Sequence, residues 1–581
     1  MWKYVKQFLP FAILAGLFMV GEVSMDLVQP GIMSNIIDEG VLGLSNGGVS
    51  DMTVIRNLGI RMILLAVFGG FCGSMNNVFS HMAAQNIGNE MRKDAFRHIM
   101  SFSFPQMDRY GTGTLVVRVT NDITQIQLFV SMFFRGIIRT SLLMFGSIWC
   151  MFRLNRDFGI IVLCMFPFMI GFMILCLMKV NPLFSVLQSQ LDDINAIMQE
   201  DISGVRVIKA CVREIYEKIR FGKANDALIR TQLKTLVIFA FMNPVINALL
   251  YFAVTLILLT GAQGVSAGIT TPGVIMAAIS YTTTLLNGIM GTTMIFQNFS
   301  RGLASWRRVK EILNEKPGME NGHAQVPQDP AQSVPAVEFR RVSFRYPNAG
   351  SDVLHDINLK IYPGETLAVM GTTGCGKTSL VNLIPRFYDA TQGSVLVNGT
   401  DVREYNTHDL RSRIAVVLQK SELFSTSIRE NISWGDPDAS LLSIQEAAQA
   451  AQADDFISET ENGYDTIVAE RGASLSGGQK QRLSIARAVL KQAQIIIFDD
   501  ATSALDLKTE ANLYRAMQKA NPGAAKILVA QRIASVRGAD RIVVIENGSI
   551  AAVGNHGELM HSCPAYQEIY HSQFGKEAAD G

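Results

Sequence analysis

Thr366-Leu-Ala-Val-Met370, running into Gly371-Thr-Thr-Gly-Cys-Gly-Lys-Thr-Ser379, decides the fold of the C-terminal part of this chain. An apolar strand enters a glycine-rich loop and a helix opens behind it. Glycine lets backbone N–H groups converge at a helix N-terminus, where the helix dipole also favours an anion. The loop therefore reads as a phosphate cradle built from Gly371, Thr372, Thr373, Gly374, Cys375, Gly376, Lys377, Thr378 and Ser379. Lys377 is placed to reach the β- and γ-phosphates of a nucleoside triphosphate, and the Thr378 hydroxyl to ligate Mg²⁺.

Phosphoryl transfer also needs a carboxylate near the metal. Ile495-Ile-Ile-Phe-Asp-Asp500 offers Asp499 at the end of an apolar strand. Further short strand-like runs at 337–339, 414–418, 527–530 and 541–545 alternate with helical patterns, which predicts an α/β core over residues 336–581. Ahead of it a stretch rich in Pro, Gly and Gln lacks apolar periodicity, and 313–335 is read as a linker.

The rest of the chain is of a different kind. Hydrophobic residues make up 49% of the 581 and charged residues only 17%, with a mean hydropathy of +0.22, and the apolar excess must be localised. It falls near 8–28, 58–84, 129–152, 158–178, 236–261 and 273–297, each close to the ~20 residues that span a bilayer core. A six-helix transmembrane domain over 1–312 follows. Lys3 and Lys6 precede the first span, Arg92, Lys93, Arg97, Arg109 and Arg118 lie between the second and third, and Arg206 through Lys234 between the fourth and fifth. The positive-inside rule then predicts a multi-pass cell-membrane protein with both termini and the C-terminal domain cytoplasmic. The opening Met1-Trp-Lys-Tyr-Val-Lys6 leads into a full-length span without a small-residue cleavage site, and is read as part of an uncleaved first helix.

Connections at 85–128 and 179–235 keep helical periodicity, so the membrane helices are expected to continue into the cytoplasm, interrupted near 104–115 and 203–210. A net charge of +1 gives no case for a nucleic-acid partner. The seven cysteines show no CxxC or Cys/His cluster, which predicts neither a zinc site nor a disulfide framework.

From Phe339 to about Phe574 the chain resembles the nucleotide-binding domain of ATP-binding cassette (ABC) transporters, and the first 310 or so residues resemble the membrane domain of multidrug-type ABC exporters. The most specific element is Leu475-Ser-Gly-Gly-Gln479, the family signature. The resemblance implies the type I exporter fold, ATP and Mg²⁺ as cofactors, and ATPase-coupled transport. It implies that Ser476, Gly477, Gly478 and Gln479 open a helix facing the γ-phosphate held by the opposite subunit. Tyr346 matches the residue that stacks on adenine, Gln419 the glutamine that reads metal and water, Glu470-Arg-Gly472 the loop that touches the cytoplasmic helices, and Ser503-Ala-Leu-Asp506 the D-loop. Residues 109–122 and 203–212 match the coupling segments.

Two catalytic positions depart from the family pattern. Asp500 stands where active members carry glutamate, and Gln531, ending Ile527-Leu-Val-Ala-Gln531, stands where they carry the switch histidine. A side chain shorter by one methylene withdraws the base from its proton, and general-base catalysis is typically worth ~10²–10⁴-fold. An amide can hydrogen-bond a phosphate but cannot accept a proton as histidine does. ABC sites combine the Walker residues of one subunit with the signature of the other. The expectation is a degenerate-site subunit of a heterodimer, weak in its own hydrolysis, whose signature completes the partner's site; a homodimer with two slow sites is the other possibility.

Glu22 and Asp26 share a helical face in the first span, open to cation binding, protonation or interhelical hydrogen bonding. Arg135 and Arg139 share a face where the third span begins, read as a cytoplasmic extension. With 27 Met and 32 Phe, the spans suit a hydrophobic or amphipathic cargo, whether drug, lipid or peptide, or simply lipid-facing packing. Export leads; a siderophore-type importer on the same fold and an ATP-gated channel or regulatory subunit are the alternatives.

Overall fold

The computed structural model of the chain describes residues 2–327, 333–347, 349–502 and 505–574, with side chains except at 290, 292–300, 471 and 507. Two compact units result: Met1–Met100 with Gly113–Glu315, and Ser101–Thr112 with Lys316–Gly581.

The first unit is helical. Five of its described helices are long and apolar enough to cross a bilayer: Leu9–Val41, Met52–Met100, Thr112–Leu154, Arg156–Ser203 and Glu214–Ser266. Pro272–Asn314 is the sixth long helix. At 1.5 Å per residue, the 49, 48 and 53 residues of the second, fourth and fifth run far beyond a ~30 Å hydrocarbon core. A glycine stands at each interruption. Gly111, at φ +70°, follows the short helix Phe104–Tyr110, and Gly204 precedes the short helix Val205–Ala210. The first interruption lies within the expected 104–115, and Thr112 onward has already joined the next long helix.

Of the readings open to Glu22 and Asp26, the structure has interhelical bonding. Arg139 donates from Nε to Glu22 Oε1 and from Nη2 to Asp26 Oδ2, both at 3.0 Å. Arg139 is thus no plain cytoplasmic extension; its planar fork neutralises two acids one turn apart on the neighbouring helix. Beside this clamp lies a cavity of about 700 Å³ lined by Glu22, Asn77, His81, Arg135 and Arg139 among others.

The second unit is α/β. A six-stranded sheet runs Ser549–Gly554, Arg541–Glu546, Thr366–Gly371, Ala525–Val529, Ile495–Asp499, Ile414–Val417. All neighbours are parallel except the first pair. Its central strands are buried on both faces, as Ile495–Asp499 shows by having no exposed residue. A four-stranded antiparallel sheet, Leu354–Ile361, Val337–Phe344, Gln392–Val397 and Thr400–Asp401, covers one side. Part of the expected linker belongs to this unit. Val326 is buried in one cluster with Val337 and Phe339, and Ala324 bridges Tyr405. Burial of Val326 and backbone hydrogen bonds from Gly322 and Ala324 to the 404–405 stretch seat a segment that has no periodicity of its own.

Candidate nucleotide site

Parallel pairing assembles this site. The strands ending at Gly371, Val417, Asp499 and Val529 point the same way, so the loops behind them emerge along one edge of the sheet, where α/β folds place their ligands. That edge receives the phosphate loop, Gln419, the Asp499–Asp500 pair and Gln531.

The loop geometry demands its glycines. A Cβ on Gly371 (φ +147°) would lie 2.2 Å from the Ile545 carbonyl oxygen, and one on Gly376 (φ +103°) 2.7 Å from Leu354 Cδ2. The loop wraps its own lysine: Lys377 Nζ donates to the carbonyls of Gly371 and Thr372 at 2.9 and 2.8 Å, with Cys375 Sγ at 3.8 Å. Gly376 opens the helix Lys377–Asn382. Thr372, Thr373 and Gly374 complete the exposed rim, and Ser379 is buried on the helix.

Thr378 Oγ1 donates to Asp499 Oδ1 at 2.9 Å. This pairs a hydroxyl with a carboxylate, hard oxygen donors of the kind Mg²⁺ prefers. No group of three or more His, Cys, Asp or Glu that could hold a metal occurs among the described residues. The donor set suits an ion that keeps most of its shell in water and phosphate oxygens. Burial pushes the Asp499 carboxyl above the usual aspartate range, the Thr378 hydrogen bond opposes this, and the neighbouring Asp500 adds to it.

Asp500 has φ +50°, a left-handed conformation that Asp tolerates better than most residues. Its Oδ2 accepts from Gln531 Nε2 at 3.0 Å and from Gln419 Nε2 at 3.4 Å. Burial raises its pKa, while Lys377, the two glutamine amides and Arg532 oppose the rise. The three positions named as catalytic thus form one constellation, with Asp500 at its centre. Gln419 turns its amide nitrogen to Asp500, which leaves the amide oxygen as its only donor toward a cation.

Tyr346 flanks the phosphate loop. Its hydroxyl lies 2.9 Å from Ser379 Oγ, and its ring packs edge-on against Tyr388, with centroids 5.2 Å apart. Ser476 is the N-cap of the helix Gly477–Leu490. The Ser476 N–H donates to Gln479 Oε1 at 2.8 Å, and the Gln479 N–H returns to Ser476 Oγ at 3.3 Å. This capping box holds a helix N-terminus, with Gly477 and Gly478 in its first turn, ready for an anion. The bonds of this capping box are internal to the helix N-terminus. Of the expected D-loop, Ser503 and Ala504 lie outside the described residues, while Asp506 caps the helix that follows, accepting from Thr509 N at 2.9 Å. Glu470–Gly472 forms a single 3₁₀ turn.

Sequence reasoning did not single out two features at this edge. Thr502 donates to Glu510 Oε1 at 2.6 Å, with Glu510 almost fully buried. Tyr388 joins Tyr346 to Asp108, which is 280 positions away in sequence. A buried acid within a helix was the available signal for the first; the second left none.

Comparison with known proteins agrees with this geometry. The family description "ABC transporter transmembrane region" matches residues 12–290, and "ABC transporter" matches 354–503. An uncharacterized ABC transporter ATP-binding protein, YfiB of Bacillus subtilis (strain 168), is 34% identical over 583 residues, covering 100% of both chains. An ATP-dependent lipid A-core flippase of Syntrophus aciditrophicus (strain SB) is 33% identical over 528 residues, 90% of this chain and 86% of its own length. In fold, the chain is similar to a bacterial Atm1-family ABC exporter solved with ATP bound, at TM-score 0.80 and 24% identity, over 98% of this chain and 99% of that one.

Proposed function

The chain belongs to the ABC transporter family, as an exporter half-transporter with fused membrane and ATP-binding domains, and we propose that it is the degenerate-site subunit of a heterodimeric exporter. On this reading its own Walker residues bind ATP and hydrolyse it slowly, and its signature helix completes a competent site on a second half-transporter. The observation that carries the proposal is the state of Asp500. Its carboxylate is one methylene shorter than glutamate, and one oxygen already accepts from two glutamine amides. Burial raises the Asp500 pKa, but the two amide hydrogen bonds oppose that rise and occupy the oxygen that would take a proton. Gln531, one of those amides, cannot serve as the acid or base that histidine would be.

Within this reading each side chain has a task. Lys377 binds and orients phosphate oxygens from the loop. Thr378 and Asp499 hold the hydroxyl and carboxylate that a Mg²⁺ ion would use, and that ion would neutralise charge on the phosphates. Tyr346 stacks on the base. Asp500 and Gln531 bond each other and so fail to take a proton from water.

The proposed cargo is a hydrophobic or amphipathic molecule moved outward across a cell membrane, with the ATP-binding domain in the cytoplasm. The cavity beside Arg139 supports the amphipathic form, because it sets charged and amide groups among apolar spans. A second subunit is supported by the short helix Val205–Ala210, whose neighbourhood leaves Val205, Val207, Val212, Ile215 and Tyr216 exposed.

The test is to purify the chain with its partner half-transporter, turn it over with radiolabelled photoactivatable ATP, and identify the nucleotide crosslinked at each Walker loop. Retained triphosphate on this chain and diphosphate on the partner is the expected result. Robust turnover by this chain alone, abolished by Asp500→Ala, overturns the proposal.

A further inference from the structure

The strand Ala525–Val529 brings the chain to the nucleotide edge, and backbone pairing holds it as far as Ala530, whose N–H donates to the Val369 carbonyl at 3.3 Å. That pairing stops short of Gln531. The short helix Ile533–Val536 begins two residues on, and Arg532 at its N-cap gives it no side-chain cap, so its leading N–H groups need acceptors from elsewhere.

One distant side chain answers both needs. Gln573, on the helix Pro564–Phe574, donates from Nε2 to the Gln531 carbonyl at 2.7 Å and accepts at Oε1 from the Ile533 N–H at 2.9 Å. A single planar amide, using one donor and its acceptor, thus clasps the backbone on both sides of Arg532.

The clasp is itself anchored. Tyr566, on the same helix as Gln573, is buried in one cluster with Ala530, Ile533, Ala368 and Met370, the last two from the strand that feeds the phosphate loop. The Tyr566 hydroxyl lies 2.8 Å from His556 Nδ1. From the other side, Arg532 Nη1 donates to the Leu505 carbonyl at 3.2 Å. The Gln531 side chain meets Asp500 at 3.0 Å, and such a bond weakens steeply once its distance or angle is lost. Where the backbone at 531 sits therefore decides whether the bond to Asp500 exists.

We propose that Gln573 is a positioning residue for the switch position: by clasping the backbone around Arg532 it holds the Gln531 amide against Asp500. Gln573 touches no phosphate and acts through Gln531 alone. The direction of its effect rests on the reading of this chain's site as degenerate, in which Gln531 occupies the base; the clasp then helps to keep the site slow.

The experiment is single-turnover ATP hydrolysis by the full chain assembled with its partner, with the partner's site inactivated, alongside equilibrium titration of ATP. Gln531→Ala is expected to raise the rate about fourfold, Gln573→Ala about threefold, and the double variant no further than Gln531→Ala alone. Gln573→Glu keeps the acceptor for Ile533 and loses the donor to Gln531, so it should match Gln573→Ala, whereas a merely structural cap would leave it at the wild-type rate. ATP affinity should move less than about twofold in every Gln573 variant, since the clasp positions the switch and not the phosphates. A wild-type rate in Gln573→Ala while Gln531→Ala departs from it, or effects of the two that multiply in the double variant, overturns the proposal. A wild-type rate in Gln531→Ala overturns it as well, because the clasp then positions nothing. If both single variants lower the rate and the double lowers it no further, the clasp stands, and it is the reading of Gln531 as an occupant of the base that fails.

Discussion

Gln531 Nε2 lies 3.0 Å from Asp500 Oδ2, so the side chain at the switch position is bonded to the side chain at the base position. Gln419 approaches the same oxygen. In a site built for hydrolysis these groups would face water and phosphate. Here both glutamine amides spend a hydrogen bond on one Asp500 oxygen.

Restoring both family residues should therefore restore chemistry. Asp500→Glu with Gln531→His is expected to raise hydrolysis at this chain's own site by at least about tenfold, part of the ~10²–10⁴-fold that a general base supplies. Single-turnover hydrolysis, with the partner's site inactivated, measures it. Either single change should give much less than the pair, because each leaves the other half of the bond in place.

Asp499 gives a prediction in stability and pH. Its folded-state pKa is raised, with burial the largest cause. A raised carboxylate favours folding at pH below its unfolded pKa, and that contribution is lost as pH rises through the folded pKa. At neutral pH the buried charge is thus a burden. Asp499→Asn should raise the melting temperature without nucleotide by about 2–4 °C, the shift that ~1 kcal/mol gives in a domain of this size. The gain should shrink as the pH is lowered into the acid range. The same variant should lose the further stabilisation by Mg²⁺ with ATP, as calorimetry in the two conditions would show.

Arg139 neutralises Glu22 and Asp26 at once. Arg139→Gln leaves two carboxylates facing each other in an apolar span, and the loss should exceed the ~1 kcal/mol of an exposed pair. Yield of folded protein in mild detergent should fall accordingly. Adding Glu22→Gln and Asp26→Asn should recover most of it; no recovery would mean that the three groups do more than cancel charge.

Tyr346→Ala should weaken ATP binding by about tenfold, the value of one base–aromatic stack at ~1–3 kcal/mol. Binding of tripolyphosphate, which has no base, should stay within about twofold. Equilibrium titration of the two ligands separates these outcomes.

The phosphate loop and Asp499 were legible in sequence because each is local: a strand, its glycines and the first helical turn occupy consecutive positions. The α/β core followed from short apolar runs alternating with helices. What stayed illegible depends on distant partners. Glu22, Asp26 and Arg139 each looked unusual alone, but their clamp joins residues more than a hundred positions apart. Val326 sat in a stretch without periodicity and is nonetheless buried. Tyr388 and Asp108 belong to no motif, and only the folded chain brings them together.

The asymmetry itself is tested most directly by comparing two variants of this chain, each assembled with its partner. Ser476→Arg blocks the helix N-terminus whose cap is Ser476; Asp500→Ala removes the base position. Steady-state ATP hydrolysis should fall about a hundredfold or more with Ser476→Arg, and less than about threefold with Asp500→Ala. Similar losses in the two variants, or a larger loss with Asp500→Ala, would contradict the account.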